Sequence, residues 1–452
     1  MPRLAGVECP PQICAAAQTG ASGRAKGRPC PPQPASGSNR LPTSGCRGAR
    51  AYDSWVSDLD PVIVSVARTP FGRLRGSLSS VPAVDLGAHV IRSALERAGV
   101  DGDQVDQCIL GTVITAGQGQ VPARQAALKA GLPSSVPALS VNKVCASSLK
   151  AVNLGALMIR AGEAEVVVAG GMESMSQAPM LLRGTRRGVA MGNLTLYDSM
   201  ISDGLTCPVD QVHMGEHGSS VAAELGVSRD AQDEFALLSQ QRYERARAAG
   251  LIDEEIVPIE VAGRPAPVLV AEDEQPRPDT TLEKLRSLRP VFGGPDGSVT
   301  AGNAPGINDG AAVLVLMTRR RARSLGIEPL ATWLGFGESA ADHPYLATVP
   351  ALALQRALDK TGGALTTQEL QVVEINEAFA SVVLTSARML ELDMDRVNPN
   401  GGAIAIGHPI GASGARILAS CVLELRRRGG GVGAATICSG LAQGEATLVE
   451  VA

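Results

Sequence analysis

The feature that most constrains this fold is an internal repeat. The segment PAVDLGAHVIRSALERAGVDGDQVDQCILGTV, from Pro82, has a distant echo in PALALQRALDKTGGALTTQELQVVEINEAF, from Pro350. A second echo links VNKVCASSLKAVNLGALMIRAGEAEVVVAGGMES with VNPNGGAIAIGHPIGASGARILASCVLELRRRGGGVGAATICSG. Each pair shares a small-residue or aliphatic helix pattern, a glycine-containing break and a strand pattern. We therefore expect two similar halves, 61–325 and 326–452, packed about a pseudo-dyad.

Within each half, strand and helix patterns alternate. PVIVSVARTPFG reads as a strand that ends in a turn, AVDLGAHVIRSALERAGV has helical spacing of apolar residues, and QVDQCILGTV reads as a second strand. This alternation predicts an α/β fold with a mostly parallel sheet covered on both faces. The first half carries an inserted region, about 176–300, which includes a helix around VSRDAQDEFALLSQQRYERARAAG.

Composition narrows the possible partners. Aromatic residues make up only 2% of the chain while glycine reaches 51 residues. This composition disfavours a protein that binds nucleic acid by stacking aromatic side chains on its bases. The formal net charge of -4 also argues against binding a polyanion. No stretch approaches the length of apolar sequence that a membrane span requires. We expect neither a nucleic-acid nor a membrane partner.

The cysteine pattern indicates a reducing compartment. The nine cysteines are odd in number and none forms a C-x-x-C pair, which disfavours a disulfide framework and a structural metal. We therefore expect a cytoplasmic protein without a metal site.

Residues 1–58 differ from the rest of the chain. They are rich in proline, glycine and serine, and basic with almost no acid, so they cannot bury enough apolar area to fold. An unstructured extension is expected, or sequence upstream of the true start. A transit peptide is a third interpretation, although proline and glycine would break its amphipathic helix.

Cys145, in VNKVCASSLKAV, is the first candidate for chemistry. Most free cysteines are small buried hydrophobes, but this one lies where a strand pattern gives way to a helix. A helix N-terminus lowers the pKa of a thiol by stabilising its negative charge. Duplicated α/β halves also place matching loops near one another, so Cys145, Asn376, His408 and Cys438 could converge.

Together these stretches resemble the thiolase family from about Pro61 to the C-terminus. The matching segments are ARTPFG, AGQGQVPARQAA, VNKVCASS, AGGMESMSQAPM, HMG at 213–215, TAGNAPGINDGAA, EINEAFA, NPNGGAIAIGHPIGASGAR and CSGLAQGEA. The resemblance implies a thiolase-like fold, and the HMG triplet is similar to the short-chain acetoacetyl-CoA branch. Thiolases are dimers or tetramers, so a homo-oligomer, such as a homotetramer, is expected.

The resemblance also implies residue roles. Cys145 would be the nucleophile, His408 would take its proton and donate to the first thioester oxygen, and Asn376 would hold a water at that oxygen. Cys438 would abstract the α-proton, and the N–H groups of Gly440 and Cys145 would form a second oxyanion hole. On the residues alone, His408 could equally be a structural loop residue and Asn376 a cap of the following helix.

Coenzyme A thioesters would be substrates, with no tightly bound cofactor. His213 and Met214 match positions that line the pantetheine and acyl pocket, Arg277 a position near the adenine nucleotide, and RGTRRG at 183–188 is another basic candidate for phosphate. Pro305 stands where the family has a serine that meets pantetheine, and Leu441 and Ala442 replace glycines. The lost serine contact would weaken binding by roughly 0.5–1.5 kcal/mol.

The expected function is that of an acetyl-CoA C-acetyltransferase, which condenses two acetyl-CoA molecules through an acyl-cysteine. The alternatives are a 3-ketoacyl-CoA thiolase of broader chain length and a non-catalytic thiolase-like lipid carrier. An oxidoreductase is disfavoured because GHPIGASG lacks G-x-G-x-x-G spacing. A decarboxylating condensing enzyme would be expected to have two histidines where this chain has His408 and Cys438.

Overall fold

The computed structural model describes residues 57–263 and 265–452. The predicted extension at 1–58 therefore lies almost wholly outside the described residues. The strands are β1 Pro61–Arg68, β2 Gly72–Arg73, β3 Gln107–Gly111, β4 Ala138–Val141, β5 Val166–Ser174, β6 Met180–Leu182, β7 Leu196–Asp198, β8 Thr206–Cys207, β9 Val212–His213, β10 Ile259–Val261, β11 Val268–Val270, β12 Asn308–Thr318, β13 Ala331–Ala340, β14 Leu370–Ile375, β15 Gly431–Ser439 and β16 Gln443–Val451.

Eleven α-helices accompany these strands in the described part of the chain, and none of them is long and apolar enough to cross a bilayer. The helices are α1 Ala83–Ala98, α2 Pro122–Ala130, α3 Ser147–Arg160, α4 Met214–Glu224, α5 Arg229–Ala248, α6 Leu282–Ser287, α7 Arg319–Leu325, α8 Val349–Asp359, α9 Ala380–Met389, α10 Ala403–Ile406 and α11 Ser413–Arg427.

One sheet repeats the same strand order in both halves of the chain. The order is β14-β15-β16-β13-β1-β12-β5-β3-β4, with β2 paired to β12. From the centre outwards, β13, β16, β15 and β14 mirror β1, β12, β5 and β3, with matching strand senses. The two halves meet where Val62 and Ile63 of β1 pair with Thr332 and Ala331 of β13. The predicted duplicated α/β fold is therefore confirmed.

The prediction of a mostly parallel sheet was wrong. Only the pairs β3–β4, β3–β5 and β14–β15 are parallel, and the other pairs in the large sheet are antiparallel. The connection from β15 to β16 is only three residues long, Gly440–Ala442, too short for the crossover that parallel strands need. A sequence that alternates strand and helix patterns over most of its length does not reveal such a hairpin.

The core is layered because alternate strand residues face different helices. On β5, Val166 and Val168 pack with α1, whereas Val167 and Ala169 pack with α3 and α11. In the second half, Ile437 of β15 joins the α3–α11 core. Ala434, on the opposite face of the same strand, joins the core formed with α8 and α9. The matching helices α3 and α11 thus lie between the two halves of the sheet.

The contact between α3 and α11 requires glycine. A Cβ at Gly414, near the start of α11, would lie 2.6 Å from the backbone nitrogen of Leu149. A Cβ at Gly155 of α3 would lie 2.9 Å from Val167, so α3 also packs closely on β5. The approach of Gly414 to Leu149 places the N-terminal ends of α3 and α11 in the same region, where the candidate site lies.

The region between β5 and β12 contains β6–β11 and α4–α6. Its small strands form three two-stranded sheets, β6–β7, β8–β9 and β10–β11. Serine and threonine side chains cap its helices: Ser228 accepts from the N–H of Ala231 at α5, and Thr281 accepts from Lys284 at α6. This region supplies one wall of the cavity described next.

Candidate active site

A cavity of about 500 Å³ is lined by residues from both halves of the chain. Cys145 comes from the turn before α3, His408 from the loop before α11, and Cys438 from the end of β15. Gly440, just beyond β15, also lines it. The structure therefore brings together the three side chains that the sequence singled out for acyl chemistry.

A strained turn presents Cys145 to the cavity. Val144 has a φ of 45°, a left-handed conformation that a β-branched residue rarely adopts. Asn142 Oδ1 accepts from the Val144 N–H at 3.0 Å, and Ser147 Oγ accepts from the Lys143 N–H at 2.8 Å. Because α3 begins at Ser147, Cys145 lies immediately before its first turn, as expected.

The expectation that the helix lowers the pKa of Cys145 was wrong. Burial raises the pKa of this thiol to about 12, with the Glu173 carboxyl acting in the same direction. The helix N-terminus alone does not overcome the loss of hydration. Cys145 therefore holds its proton at neutral pH, and its activation requires a neighbouring base.

His408 is held as such a base. Its Nδ1 lies 2.6 Å from Ser413 Oγ, and that hydroxyl donates to the Pro409 carbonyl at 2.9 Å. Since the hydroxyl proton is already used, Ser413 must accept from Nδ1–H. The proton is thus assigned to Nδ1, which leaves a lone pair on Nε2. Nε2 is buried and has no hydrogen-bond partner among the described residues.

The surroundings keep the His408 imidazole neutral. Burial, together with the nearby Arg416 guanidinium, lowers its pKa to about 3. The backbone N–H of His408 donates to Asn308 Oδ1 at 2.9 Å, which fixes the loop. A neutral, oriented imidazole with a free Nε2 can accept a proton.

Cys438 and Gly440 lie against the Cys145 turn. Burial raises the Cys438 pKa well above its ordinary value, and Cys145 contributes in the same direction. A Cβ at Gly440 would lie 3.3 Å from Val144 Cγ2, so the two loops are in close contact. The two thiols are therefore close enough for the charge of one to affect the other.

Asn376 directly follows β14 and is not among the residues that line the cavity. Its side chain is fully buried, and its Oδ1 and Nδ2 have no partner within the described residues. The alternative reading, a cap of the following helix, is wrong. Helix α9 begins at Ala380 with Phe379 in the capping position and no side-chain cap.

The four residues predicted to contact coenzyme A all line the cavity: His213, Met214, Arg277 and Pro305. The ring of His213 stacks on Phe292 at 4.4 Å, and its Nδ1 accepts from the Gly215 N–H at 3.1 Å. The RGTRRG segment is different. Its arginines do not line the cavity, and Arg183 lies over the ring of Tyr197 instead.

Sequence reasoning missed several cavity residues. Phe292 and Phe379 add apolar surface, and Arg73 adds an exposed cation at the cavity. Arg73 directly follows the ARTPFG segment, so the sequence could have indicated that it lies near the site. Phe292 lies in an irregular segment with no signal of its own.

Comparisons with known proteins decide the family. The family models described as the thiolase N-terminal domain and the thiolase C-terminal domain match residues 61–320 and 327–451. The chain belongs to the thiolase family. Acetyl-CoA acetyltransferases of Cupriavidus necator and Pseudomonas aeruginosa are each 50% identical to it, over 86% of this chain and 99% and 98% of theirs.

A solved thiolase-family structure shares the fold. The crystal structure of the Bacillus anthracis acetyl-CoA acetyltransferase matches with a TM-score of 0.84 and 39% identity, covering 87% of this chain and 99% of that one. Against the thiolase pattern, Leu441 and Ala442 replace glycines, and both adopt positive φ, 59° and 45°. The turn after Cys438 thus has the left-handed backbone that favours glycine, although Leu441 and Ala442 occupy it.

Proposed function

We propose that this thiolase is an acetyl-CoA C-acetyltransferase, which condenses two acetyl-CoA molecules to acetoacetyl-CoA and coenzyme A and also runs in reverse. The observation that carries the proposal is the single cavity shared by Cys145, His408 and Cys438. The relatives named acetyl-CoA acetyltransferase, which are 50% identical to this chain, support the same reaction.

In the first half-reaction, Cys145 Sγ attacks the thioester carbonyl. Its high pKa means that the proton must leave during attack, and the lone pair of His408 Nε2 is suited to take it. His408 then passes this proton to the departing coenzyme A thiolate. When protonated, Nε2–H also donates to the thioester oxygen, with Asn376 supporting that site through a water.

In the second half-reaction, Cys438 as a thiolate removes an α-proton from the second acetyl-CoA. The proton first released by Cys438 is held at His408. The resulting carbanion attacks the acetyl group on Cys145, the C–S bond breaks, and the departing Cys145 thiolate takes the proton held at His408. Burial is the main cause of the high pKa of Cys438, and an acylated Cys145 cannot ionise and so cannot oppose the Cys438 thiolate with a second negative charge.

Coenzyme A would enter beside His213 and Met214, with its adenine nucleotide near Arg277. The reaction needs no bound cofactor, since the chain itself supplies nucleophile, base and acid. The chemistry requires reduced thiols, and the five cysteines within the described residues are all free. This supports a reducing, cytoplasmic setting.

A homo-oligomer is also proposed. Strand β4 lies at the end of the sheet order, its outer edge is not paired with any strand among residues 57–263 and 265–452, and its Leu139 is exposed. Strands β6 and β7 expose Met180, Leu182, Leu196 and Tyr197. Light scattering of the purified protein would distinguish a dimer or tetramer from a monomer.

Acyl-enzyme trapping tests the roles. Cys145→Ala should abolish acetylation by acetyl-CoA, measured by peptide mass spectrometry. Cys438→Ala should still form the acetyl-enzyme but lose condensation. Equal loss of both steps in Cys438→Ala would refute this division of roles, and no label at Cys145 of the parent protein would favour the lipid-carrier alternative.

Chain length needs a separate measurement. Comparison of thiolysis of acetoacetyl-CoA with that of longer 3-ketoacyl-CoA esters distinguishes the proposed enzyme from a 3-ketoacyl-CoA thiolase of broader range. A clear preference for acetoacetyl-CoA in kcat/KM is expected.

A further inference from the structure

Three side chains with metal-binding atoms lie together next to the cavity wall. Cys207 ends β8, Asp210 lies in the turn between β8 and β9, and His217 lies in α4. One donor atom from each, a sulfur, a carboxylate oxygen and an imidazole nitrogen, lies within 4.8 Å of the others. None of these residues lines the catalytic cavity.

A fourth residue joins the group from the other half of the chain. His343 lies between β13 and α8, and its Nε2 is 2.8 Å from Asp210 Oδ1. The other carboxylate oxygen, Oδ2, is 2.8 Å from His217 Nε2. The Asp210 carboxylate is thus held between two imidazoles, whose ring centroids are 6.1 Å apart.

The group is buried on one side and open on the other. The side chains of Cys207 and His217 are almost inaccessible, at 1% and 6% exposure, whereas those of Asp210 and His343 are 35% exposed. His217 Nδ1 is buried with no hydrogen-bond partner in residues 57–263 and 265–452. An imidazole with an unsatisfied buried nitrogen is costly unless a ligand compensates it.

The backbone holds two of the three donors in place. Thr206 and Cys207 pair with His213 and Val212 in the β8–β9 hairpin. Helix α4 starts directly after that hairpin, capped by the side chain of His213. Cys207 and His217 are therefore attached to rigid elements, and the open side gives an ion access through Asp210.

We propose that this group, the Cys207 site, binds a divalent transition metal, with Zn²⁺ the best match. The ligands are the Cys207 thiolate, the Asp210 carboxylate and one imidazole nitrogen of His217. His343 positions the carboxylate through its second oxygen. A sulfur, nitrogen and oxygen set suits zinc, and metal binding releases the thiol proton of Cys207.

The proposed site differs from the expectation of no structural metal, which rested on the absence of C-x-x-C spacing. Its three ligands lie within residues 207–217 but do not have C-x-x-C spacing, and His343 comes from a distant loop. A bound ion would join the hairpin and α4 to the His343 loop. Because His213 and Met214 lie between Cys207 and His217 and line the cavity, the ion would stiffen that wall.

Cobalt titration of the reduced, chelator-treated full chain tests the proposal. Co²⁺ is expected to bind with one equivalent at this site and to give a thiolate-to-metal charge-transfer absorption. Cys207→Ser should remove that absorption. His343→Gln should keep it but weaken binding by roughly 10–100-fold, the effect of losing a group that positions a ligand.

Other thiols require matched controls. Cys9, Cys14, Cys30 and Cys46 are replaced by serine in every protein compared, and Cys108→Ala serves as a control for loss of a buried cysteine outside the site. Cys108→Ala should keep the charge-transfer absorption. If Cys207→Ser does not fold, Asp210→Asn at a half-exposed position should still lower the affinity for Co²⁺ and Zn²⁺.

The proposal is overturned if the parent protein shows no thiolate-to-metal absorption. It is equally overturned if Cys207→Ser and Asp210→Asn bind the metal as tightly as Cys108→Ala does. These readouts do not depend on acyl transfer, so they leave the proposed thiolase reaction untouched.

Discussion

The hydroxyl of Ser439 donates a hydrogen bond to the backbone carbonyl of Lys143. Ser439 follows Cys438, and Lys143 lies two residues before Cys145. One hydrogen bond between the two halves of the chain therefore links the turns that carry both thiols. Its donor is almost fully buried, so water does not compete for it.

Ser439→Ala should slow condensation more than acylation, because only condensation requires the two thiols to keep their spacing. Loss of about 1 kcal/mol of hydrogen bonding predicts a roughly fivefold lower kcat. Steady-state condensation and the rate of acetyl-enzyme formation measure the two effects. Ser202→Ala removes an exposed serine bonded to Asp203 and is the control. An unchanged ratio of the two rates would contradict the linking role.

Ser413→Ala should impair His408 without affecting substrate binding. Nδ1–H of His408 would lose its acceptor, so the ring could rotate or change tautomer, and Nε2 would no longer be held as the base. We expect kcat to fall roughly tenfold or more with little change in KM. Ser413→Thr, which keeps the hydroxyl, should restore part of the rate. A raised KM with unchanged kcat would be the wrong outcome.

The pH dependence of acylation should lack a limb at the ordinary histidine pKa. His408 acts as a base when neutral, and it is neutral above its pKa, which burial lowers to about 3. The acetylation rate should therefore hold as the pH falls from 7 to about 5, a range in which an unperturbed histidine would become protonated. Rapid-quench measurement of acetyl-enzyme formation checks this. A loss centred near the unperturbed value of about 6.5 would contradict it.

The sequence predicted the duplicated fold and the convergence of Cys145, His408 and Cys438 because the repeat and the motifs are local patterns. It did not predict the antiparallel pairs, since nothing in the composition of the three-residue link 440–442 distinguishes a hairpin from another turn. The sequence also failed to predict the raised pKa of Cys145. The direction of this pKa shift depends on burial, which a position at the start of a helix does not indicate.

Contacts between distant segments were also out of reach. Asn308 supports His408, and Ser439 supports Lys143, yet neither pair is close in sequence. Asp210 and His343 come from different halves of the chain. Such pairs are set by tertiary packing, so their residue types alone carry no signal.

Gly407 has a backbone conformation that supports the loop carrying His408. It has a φ of 105° and a ψ of 169°, a region that only glycine occupies readily. A Cβ there would lie 2.4 Å from Asn308 Cγ. Asn308 Oδ1 accepts from the His408 N–H, and its Nδ2 donates to the Gly72 carbonyl at 2.9 Å. An alanine would therefore displace Asn308 and the loop it supports.

Gly407→Ala should cost about 1–3 kcal/mol of unfolding free energy and lower kcat more than tenfold. Gly362→Ala is the control, because Gly362 also has positive φ, 65°, but a Cβ there meets nothing within 4 Å. That variant should lose roughly 1 kcal/mol through backbone strain and keep full activity. Denaturant unfolding and acetoacetyl-CoA thiolysis measure the two quantities. Equal activity in the two variants would show that the Asn308 contact does not hold His408 in place.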